Sequence, residues 1–312
     1  MSESTLQWGR VCQVITGAGG RGLLVDDLRI TFEITKTLLR SPNTADVRIY
    51  NLHPDNEAKI KGEFDEVLVN AGYTNATQLL FRGNIRHTFR YRDGNDWITQ
   101  IDAADGDRDF RHARMVVSLA TGSTAQDLID RAIASFETTT LGHFVIPAAK
   151  RIRGAVYAGP TREVLDRLAA TLGSNWSIQD GSLDIVSADS TLPTKAIVIN
   201  ADTGMLGAPE IDDKGITVKC LLNPAIVPNG KIWLDNNDIQ LRVKKQREAA
   251  PGAKKPSART KQTEIARLDP DGVYKVYRVT HKGDTRGTGN DWVSEVHCVG
   301  LGKAIPPEAR AA

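Results

Sequence analysis

The two ends of this chain repeat each other in the same order, and that repeat limits the possible folds more than any other feature. Two matches lie 183 residues apart, namely Leu38-Leu39 with Leu221-Leu222 and Arg48-Ile49-Tyr50 with Lys231-Ile232-Trp233. A third lies 195 residues apart, between residues 94–98 (Gly-Asn-Asp-Trp-Ile) and 289–293 (Gly-Asn-Asp-Trp-Val), and His87 matches His281 one residue off that register. Because such a repeat is typical of one structural unit used twice, the sequence predicts two related domains.

The residues around these matches alternate as strands do. Ile30, Phe32 and Ile34 are separated by polar residues, which is the period-two pattern of a half-buried strand. Asp93-Gly94 between two such runs predicts a hairpin turn, and alternation returns beyond Ala196. We therefore expect each end of the chain to form a β-barrel-like domain.

The middle of the chain has a different pattern. Residues 124–133 and 161–169 carry apolar side chains at helical spacing, with Thr161 as a candidate N-cap and Gly173 as a candidate C-terminal stop. Residues 176–178 and 183–185 flank a hairpin signal. This segment is predicted to be a small α/β domain.

The predicted fold is mainly β with an α+β insert, in which two related β-barrel-like domains flank a smaller α/β domain. We place the first barrel at residues 1–110, the insert at 111–190, the second barrel at 191–304 and a C-terminal tail at 305–312. Cys12, Cys220 and Cys298 are too few and too scattered for a disulfide framework or a zinc site.

Charge is nearly balanced overall and concentrated in one loop. The net charge of +2 gives no general case for binding nucleic acid or a membrane surface. Residues 244–267 alone carry +6, which leaves −4 for the rest of the chain. The basic residues of this loop are Lys244, Lys245, Arg247, Lys254, Lys255, Arg259, Lys261 and Arg267. Two hypotheses stay open: an exposed, mobile excursion, or an interaction segment that becomes ordered on an acidic partner.

The N-terminal residues lack the basic and apolar regions of a signal peptide, and no apolar run reaches the roughly 18 residues of a spanning helix. We therefore expect a soluble chain that is cytoplasmic when it is made.

Gly17, Gly19 and Gly22 form a G-x-G-x-x-G motif after an apolar run. A dinucleotide site needs a helix immediately after these glycines, whereas the following residues alternate as a strand. A hairpin turn is the favoured interpretation, and a dinucleotide-dependent enzyme using residues 17–22 is the alternative. The sequence assigns no catalytic, cofactor-binding or metal-ligating residues, and it predicts no cofactor.

Two further clusters have structural interpretations. His297-Cys298, with the distant Cys220, could suggest a metal corner, but neighbours on a strand point to opposite faces, so we predict a buried cysteine and a surface histidine. The acidic residues 102–109 lack the spacing of an EF-hand loop, and we predict a solvated linker that ends the first barrel.

Three stretches together resemble a known family. They are residues 28–52, residues 154–181 and residues 272–292. The third stretch contains the segment His281-Lys282-Gly283-Asp284-Thr285-Arg286-Gly287, followed by Asp291-Trp292. In this order they are similar to the baseplate hub proteins of contractile-tailed bacteriophages. That family is related to late-control tail proteins and to the hub part of type VI secretion spikes.

The resemblance implies a structural homotrimer and not an enzyme. Each subunit would carry two similar barrels, and six barrels would form a ring that adapts a sixfold tail tube to a threefold central spike. The ring would enclose the channel for the tape-measure protein and for DNA in transit. Implied partners are the central spike, the distal tail tube or its initiator, the baseplate wedge proteins and the tape-measure protein, with no membrane.

The implied location is the virion tail baseplate, and the host cytoplasm during assembly. The alternative within the same class is a hub or adaptor of a tailocin or a type VI-like injection machine. The resemblance assigns no role to the basic loop. The −4 carried by the rest of the chain permits a channel lining that is neutral or acidic.

Overall fold

The computed structural model describes residues 7–18, 20–38, 41–146, 154–212, 215–235, 271–287 and 291–302. The N-terminal third of the chain is built from strands and one helix. The elements are β1 (Arg10–Ala18), β2 (Arg21–Val25), β3 (Ile30–Thr37), β4 (Thr44–Tyr50), α1 (Pro54–Gly62), β5 (Glu66–Tyr73), β6 (Ala76–Asp93) and β7 (Asp96–Ala104). Sequence analysis did not predict α1, which has His53 as its N-cap and Pro54 in its first turn.

The middle of the chain mixes helices and strands. Its elements are α2 (Asp107–His112), β8 (Arg114–Leu119), α3 (Ala125–Ile133), β9 (Thr140–Val145), β10 (Ala155–Pro160), α4 (Thr161–Leu172), β11 (Ser174–Gln179) and β12 (Ser182–Ser187). The remaining strands are β13 (Ile197–Val198), β14 (Glu210–Asp212), β15 (Gly215–Leu221), β16 (Lys231–Trp233), β17 (Val273–Asp284) and β18 (Trp292–Gly300). The mainly β fold with an α/β insert is confirmed.

One sheet runs through both ends of the chain. Its strand order is β14-β15-β18-β17-β3-β4-β7-β6-β5-β1-β2, with β16 pairing with β17 and β13 pairing with β16. The two ends meet where β17 pairs with β3, antiparallel, from Arg278 opposite Thr37 to Asp284 opposite Thr31. We call this pairing the internal seam.

The repeat is clearest in two long hairpins, β6–β7 and β17–β18. Both first strands carry a β-bulge, at Arg86 and at Tyr277, and both second strands begin near the matched tryptophans Trp97 and Trp292. In each hairpin the bulge lies opposite the second strand at the same number of residues after the tryptophan, between Asp102 and Ala103 in one and between His297 and Cys298 in the other. The 195-residue match therefore joins equivalent strands.

The 183-residue match is wrong as an alignment of strands. Residues 48–50 lie in β4 and residues 231–233 form β16, but β4 pairs with the second strand of its hairpin, whereas β16 pairs with the first strand of the other. In the other match, Leu38 follows β3 whereas Leu221 ends β15. The topology instead makes β4 equivalent to β15 and β5 equivalent to β16. His281 is likewise equivalent to Arg90 and not to His87. Leu39 lies outside the described residues. Short apolar runs recur in any β protein, so local similarity alone matched the wrong strands.

Three hydrophobic clusters support this architecture. The first is formed by β1 to β7 and is completed by Leu222 and Trp292 from the C-terminal strands. The second lies in the insert, and the third lies between β13 and β18. Residues of the second repeat thus complete the core of the first. The predicted domain boundaries at residues 110 and 190 remain a proposal.

The insert is held together by its two longer helices. Thr124 and Asp127 form a capping box at the start of α3. Gly173, with a φ of 60°, ends α4 as predicted. The N-cap of α4 is Pro160 and not Thr161, because Thr161 is already helical and is buried, with its Oγ1 2.8 Å from Ser135 Oγ. Among the described helices, none is long and apolar enough to cross a membrane.

Candidate functional site

One face of the sheet is mostly polar across eight consecutive strands, from β14 to β6. The strand registers place these side chains on the same face. We call this surface the polar face. Its members include Glu210, Thr217, Lys219, Glu295, His297, Thr280, Lys282, Thr31, Glu33, Thr35, Asp46, Arg48, Tyr50, Gln100, Asp102, His87, Phe89 and Tyr91.

Alternation produces this surface. In β4, Ala45, Val47 and Ile49 point into the first hydrophobic cluster, so the intervening Asp46 and Arg48 must point away from it. The sequence pattern of β3 and β4 therefore predicts that one face is polar. It does not predict that strands from both repeats share that face, because this depends on the internal seam.

Opposite charges are paired along the polar face. Lys219 Nζ lies 3.2 Å from Glu295 Oε2, and Lys282 Nζ lies 3.0 Å from Glu33 Oε1 across the internal seam. Arg48 Nε lies 3.0 Å from Asp46 Oδ1. These side chains are at least 33% exposed, so each pair contributes at most about 1 kcal/mol to stability. Because each pair combines opposite charges, these pairs mainly keep a large electrostatic field of one sign from developing over the polar face.

The polar face is hollowed where β3, β4 and β7 meet. A groove of about 620 Å³ lies there, with Glu33, Asp46 and Asp102 facing Arg48 and Arg86. Its lining has both signs of charge. In the described ranges, no group of three histidine, cysteine or acidic side chains could hold a metal ion.

The far end of the β6–β7 hairpin exposes aromatic side chains. Phe89 is 49% exposed, Tyr91 37% and Trp97 43%. Pairing with β5 ends at Asn84, so from Arg86 onward β6 pairs with β7 alone among the described strands. We call residues 86–92 the open edge of β6. An unpaired strand edge with exposed aromatic residues is a surface suited to protein contact.

Two buried lysines tie the insert to the sheet. Lys36 in β3 is 2% exposed, and its Nζ lies 2.8 and 2.6 Å from the carboxylate oxygens of Asp180, in the β11–β12 turn. Lys275 in β17 donates to the carbonyl oxygens of Ser187, Ala188 and Ser190. Burial lowers the pKa of Lys275 to about 8. One lysine comes from each repeat, so the insert is fixed to both.

Within the acidic stretch 102–109, Asp105, Asp107 and Asp109 are buried at a junction, and the predicted solvated linker is wrong. Asp105 accepts from the backbone N–H groups of Asp180 and Gly181 and from Asn43 Nδ2. Asp109 accepts from the backbone N–H groups of residues 137–139. Burial raises the pKa of Asp109, but these hydrogen bonds outweigh it and the net shift is downward. The spacing of these aspartates in the sequence could not show that backbone N–H groups of the insert donate hydrogen bonds to their carboxylates.

A pH-dependent stability is expected from Asp105. Its burial, and next the nearby Asp180 carboxylate, raise its pKa from 3.8 to about 7. The folded state therefore holds the Asp105 proton more tightly than the unfolded chain does. The contribution of this proton to the free energy of unfolding is fully present below about pH 4 and is lost as the pH rises through 7. Relative to Asp105→Asn, the wild type should gain up to about 1.4 kcal/mol per pH unit between pH 7 and 5. Urea unfolding of both proteins across this range measures the difference, and parallel pH curves would contradict it.

The other residues considered in the sequence fall in separate places. The eight basic residues of the predicted interaction loop lie outside the described residues. Gly17 and Gly22 face each other in the antiparallel β1–β2 pairing, so a strand and not a helix follows this motif. Cys298 is fully buried, as predicted, whereas His297, predicted at the surface, is only 22% exposed on the opposite face. Cys12, Cys220 and Cys298 are all buried free thiols.

No protein-family model matches the chain, and no curated protein sequence does so either. Its fold is shared with solved tail proteins. The tail protein from Neisseria meningitidis MC58 has a TM-score of 0.61 at 9% identity, with 97% of this chain and 99% of that chain covered. The 43 kDa tail protein of prophage MuSo2 from Shewanella oneidensis has a TM-score of 0.58 at 10% identity, with 93% and 98% covered.

A component of the E. coli type VI secretion system is also similar, with a TM-score of 0.53 at 10% identity. The match covers 87% of this chain and 73% of that one, which is itself structurally similar to the T4 bacteriophage tail proteins gp27 and gp5. The chain therefore has the fold of phage tail proteins and of a type VI secretion component.

Proposed function

We propose that this chain is the subunit of a bacteriophage baseplate hub, a structural and non-enzymatic protein. Three copies form a ring that joins the sixfold tail tube to the threefold central spike. The fold shared with tail proteins along almost the whole chain supports this proposal.

The observation that carries the proposal is the repeat joined edge to edge at the internal seam. One chain places two equivalent hairpins, β6–β7 and β17–β18, in a single continuous sheet. Three such chains present six related units while keeping threefold symmetry, which is what an adaptor between threefold and sixfold objects requires.

The polar face is proposed to line the central channel. Its paired charges, such as Lys219 with Glu295 and Lys282 with Glu33, leave little net field to hold a polyanion. Binding of DNA to a protein depends on the release of counterions by unpaired basic residues. The named members of the polar face include more acidic than basic side chains, namely Glu33, Asp46, Asp102, Glu210 and Glu295 against Lys219, Lys282 and Arg48. A wall of this kind would let the tape-measure protein and then DNA pass without being retained.

The proposed partners are the central spike, the distal tail tube or its initiator, the wedge proteins and the tape-measure protein. The proposed location is the virion tail baseplate, with assembly in the host cytoplasm. Negative-stain microscopy of the purified protein at high concentration tests this, alone and with the spike co-expressed. Threefold rings with a pore are expected, and compact monomers under both conditions would overturn the proposal.

The basic loop is proposed to contact a neighbouring protein. Its two ends are fixed independently, because Trp233 pairs with Val273 and Leu234 N donates to Gly272 O at 2.9 Å. Deleting residues 248–264 should therefore leave the trimer intact and weaken docking of a neighbour. Sedimentation measures the first effect, and the yield of complete tails measures the second.

A control for that deletion keeps the length of the loop and replaces Lys254, Lys255, Arg259 and Lys261 with glutamine. Equal loss of docking in both variants assigns the effect to charge. Normal tail assembly with the deletion would show that the loop is dispensable.

A second candidate is the hub of a type VI-like injection machine. The similarity to the E. coli secretion component favours it. Co-purification separates the two, because a phage hub should bring tail tube and wedge proteins with it, whereas a secretion hub should bring secretion-tube components.

A further inference from the structure

The hydrophobic core of the insert is separate from the cores of the sheet. The second hydrophobic cluster is formed entirely by residues between Phe110 and Ile185, and the other clusters contain none from that range. Among the described residues, no apolar cluster therefore spans the contact between the insert and the sheet. We call this contact the junction.

Buried polar side chains of β3 and of the β3–β4 turn hold the β11–β12 turn of the insert at the junction. Asn43, which is 1% exposed, donates from its Nδ2 atom to Ile178 O and to Gln179 Oε1, each at 2.9 Å. Beside it, Lys36 Nζ donates to the carboxylate of Asp180. The β11–β12 turn is thus held by hydrogen bonds and an ion pair.

The helix α2 has two different sides. Phe110 packs against the second hydrophobic cluster, so α2 belongs to the insert. Towards the sheet, Asp107 pairs with Arg86, and Arg108 Nη2 lies 3.0 Å from Asp65 Oδ2. The side of α2 that meets the sheet is therefore also held by ion pairs.

Two connections join the insert to the sheet, and one of them has a hinge residue. Gly106 lies between α2 and Asp105, whose N–H group donates to Asn43 O. The φ of 57° at Gly106 lies in the left-handed region, which glycine adopts without strain. At the other connection, Lys275 donates to backbone carbonyl oxygens of residues 187–190. Gly106 is therefore a point about which the insert can turn.

A polar contact of this kind can open at low cost. When it separates, its groups exchange hydrogen bonds within the protein for hydrogen bonds with water, so the net loss is small for each bond. Separating an apolar contact would instead expose apolar surface to water. Relative motion of two domains is the default unless their contact is large and hydrophobic.

We propose that the insert, together with α2, undocks from the sheet as a rigid body about Gly106, and that Lys36 with Asp180 is the latch that holds it docked. The motion belongs to the single chain, so it does not depend on the ring proposed above. In an assembly, it lets the insert adjust to a neighbouring protein while the strands of the sheet keep their register.

Hydrogen exchange tests the latch. The backbone N–H groups of Asp180 and Gly181 donate to Asp105 across the junction, so undocking frees them. Lys36→Met leaves the Asp180 carboxylate unpaired in the docked state, whereas undocking returns this carboxylate to water. Exchange at residues 180 and 181 should therefore rise at least about tenfold, while exchange in β4 and α4 stays unchanged.

The matched control is Lys36→Met with Asp180→Asn, in which this pair leaves no charge alone at the junction. Its exchange at residues 180 and 181 should return to near the wild-type rate. Lys282→Met, which breaks the exposed pair with Glu33 at the internal seam, should leave exchange at these residues unchanged. If Lys36→Met raises exchange equally in β4, α4 and the turn, the chain unfolds globally and the latch is contradicted. Unchanged exchange at residues 180 and 181 would contradict it as well.

Spin-label distances test the motion itself. Val116 and Leu141 lie on the insert and Val198 lies on the sheet, and all three are at least 40% exposed. Cysteines at these positions can be labelled selectively, because the native cysteines are buried. With Lys36→Met, the distance between labels at residues 116 and 198 should gain a second population, while the distance between labels at residues 116 and 141 keeps one.

Two results would overturn the rigid-body motion. A single distance between residues 116 and 198 would show that the insert stays docked without its latch. Two populations of the distance between residues 116 and 141 would show that the insert unfolds and does not move as a body. Both results would leave the proposed hub standing.

Discussion

Replacing Trp292 with alanine should lower the free energy of unfolding by about 3–5 kcal/mol, as is usual for a fully buried large aromatic residue. Its ring packs edge-on against Phe32, with centroids 5.4 Å apart. The two rings meet over Gly283, where a Cβ atom would lie only 2.8 Å from Trp292 Cζ3. Trp292 belongs to the second repeat yet completes the core of the first. Its loss therefore leaves a cavity at the internal seam.

Trp97→Ala is the matched control, because Trp97 holds the equivalent position in the first repeat. It is 43% exposed, and its ring lies against the Arg90 guanidinium at 4.3 Å. We expect a loss below about 1 kcal/mol. Urea unfolding followed by near-ultraviolet circular dichroism, at a concentration where the chain is monomeric, compares the two. Similar losses would show that Trp292 is not a structural link between the repeats.

Lys36→Met should destabilise the protein by about 3 kcal/mol, because it leaves the Asp180 carboxylate without its partner. Asp180 is partly exposed, so the effect lies at the lower end of the range for buried pairs. Asp105 lies beside Asp180 and disfavours a second negative charge there. Methionine keeps most of the length of the lysine stem, which confines the change to the ammonium group.

The double variant Lys36→Met with Asp180→Asn should recover most of that loss, since no charge is then left alone. Asp180 has a φ of 53°, which asparagine tolerates. Thermal and urea unfolding of the four proteins give the coupling energy. Lys282→Met, which breaks a pair that is about half exposed, should cost less than about 1 kcal/mol. Additive losses at Lys36 and Asp180 would contradict the coupling.

Most elements could be predicted from local pattern. The alternation of Ile30, Phe32 and Ile34 appears as β3 with its apolar side buried, and Asp93-Gly94 forms the turn of the β6–β7 hairpin. The glycine that ends α4 was also predictable, because glycine adopts the left-handed conformation without strain. These features depend on residues close together in the chain.

The candidate site was less predictable. The polar residues of β3 and β4 were visible as alternating positions, but their continuation onto β17 and β18 depends on strands that lie more than 240 residues away in sequence. The buried charges were missed for a related reason. Lys36, Lys275 and Asp105 look like ordinary surface residues in the sequence, and only the packing of the insert against both repeats buries them.

The sequence by itself determined the strands, the two hairpins with their matched tryptophans and the helical insert, because periodicity and turn chemistry act over a few residues. The tertiary structure alone decided which repeat edge is paired and which is open. Strand pairing is satisfied by backbone groups that every residue carries, so side-chain pattern does not specify a distant partner. That choice buried Trp292, exposed Trp97 and left β6 beyond Asn84 with β7 as its one partner among the described strands.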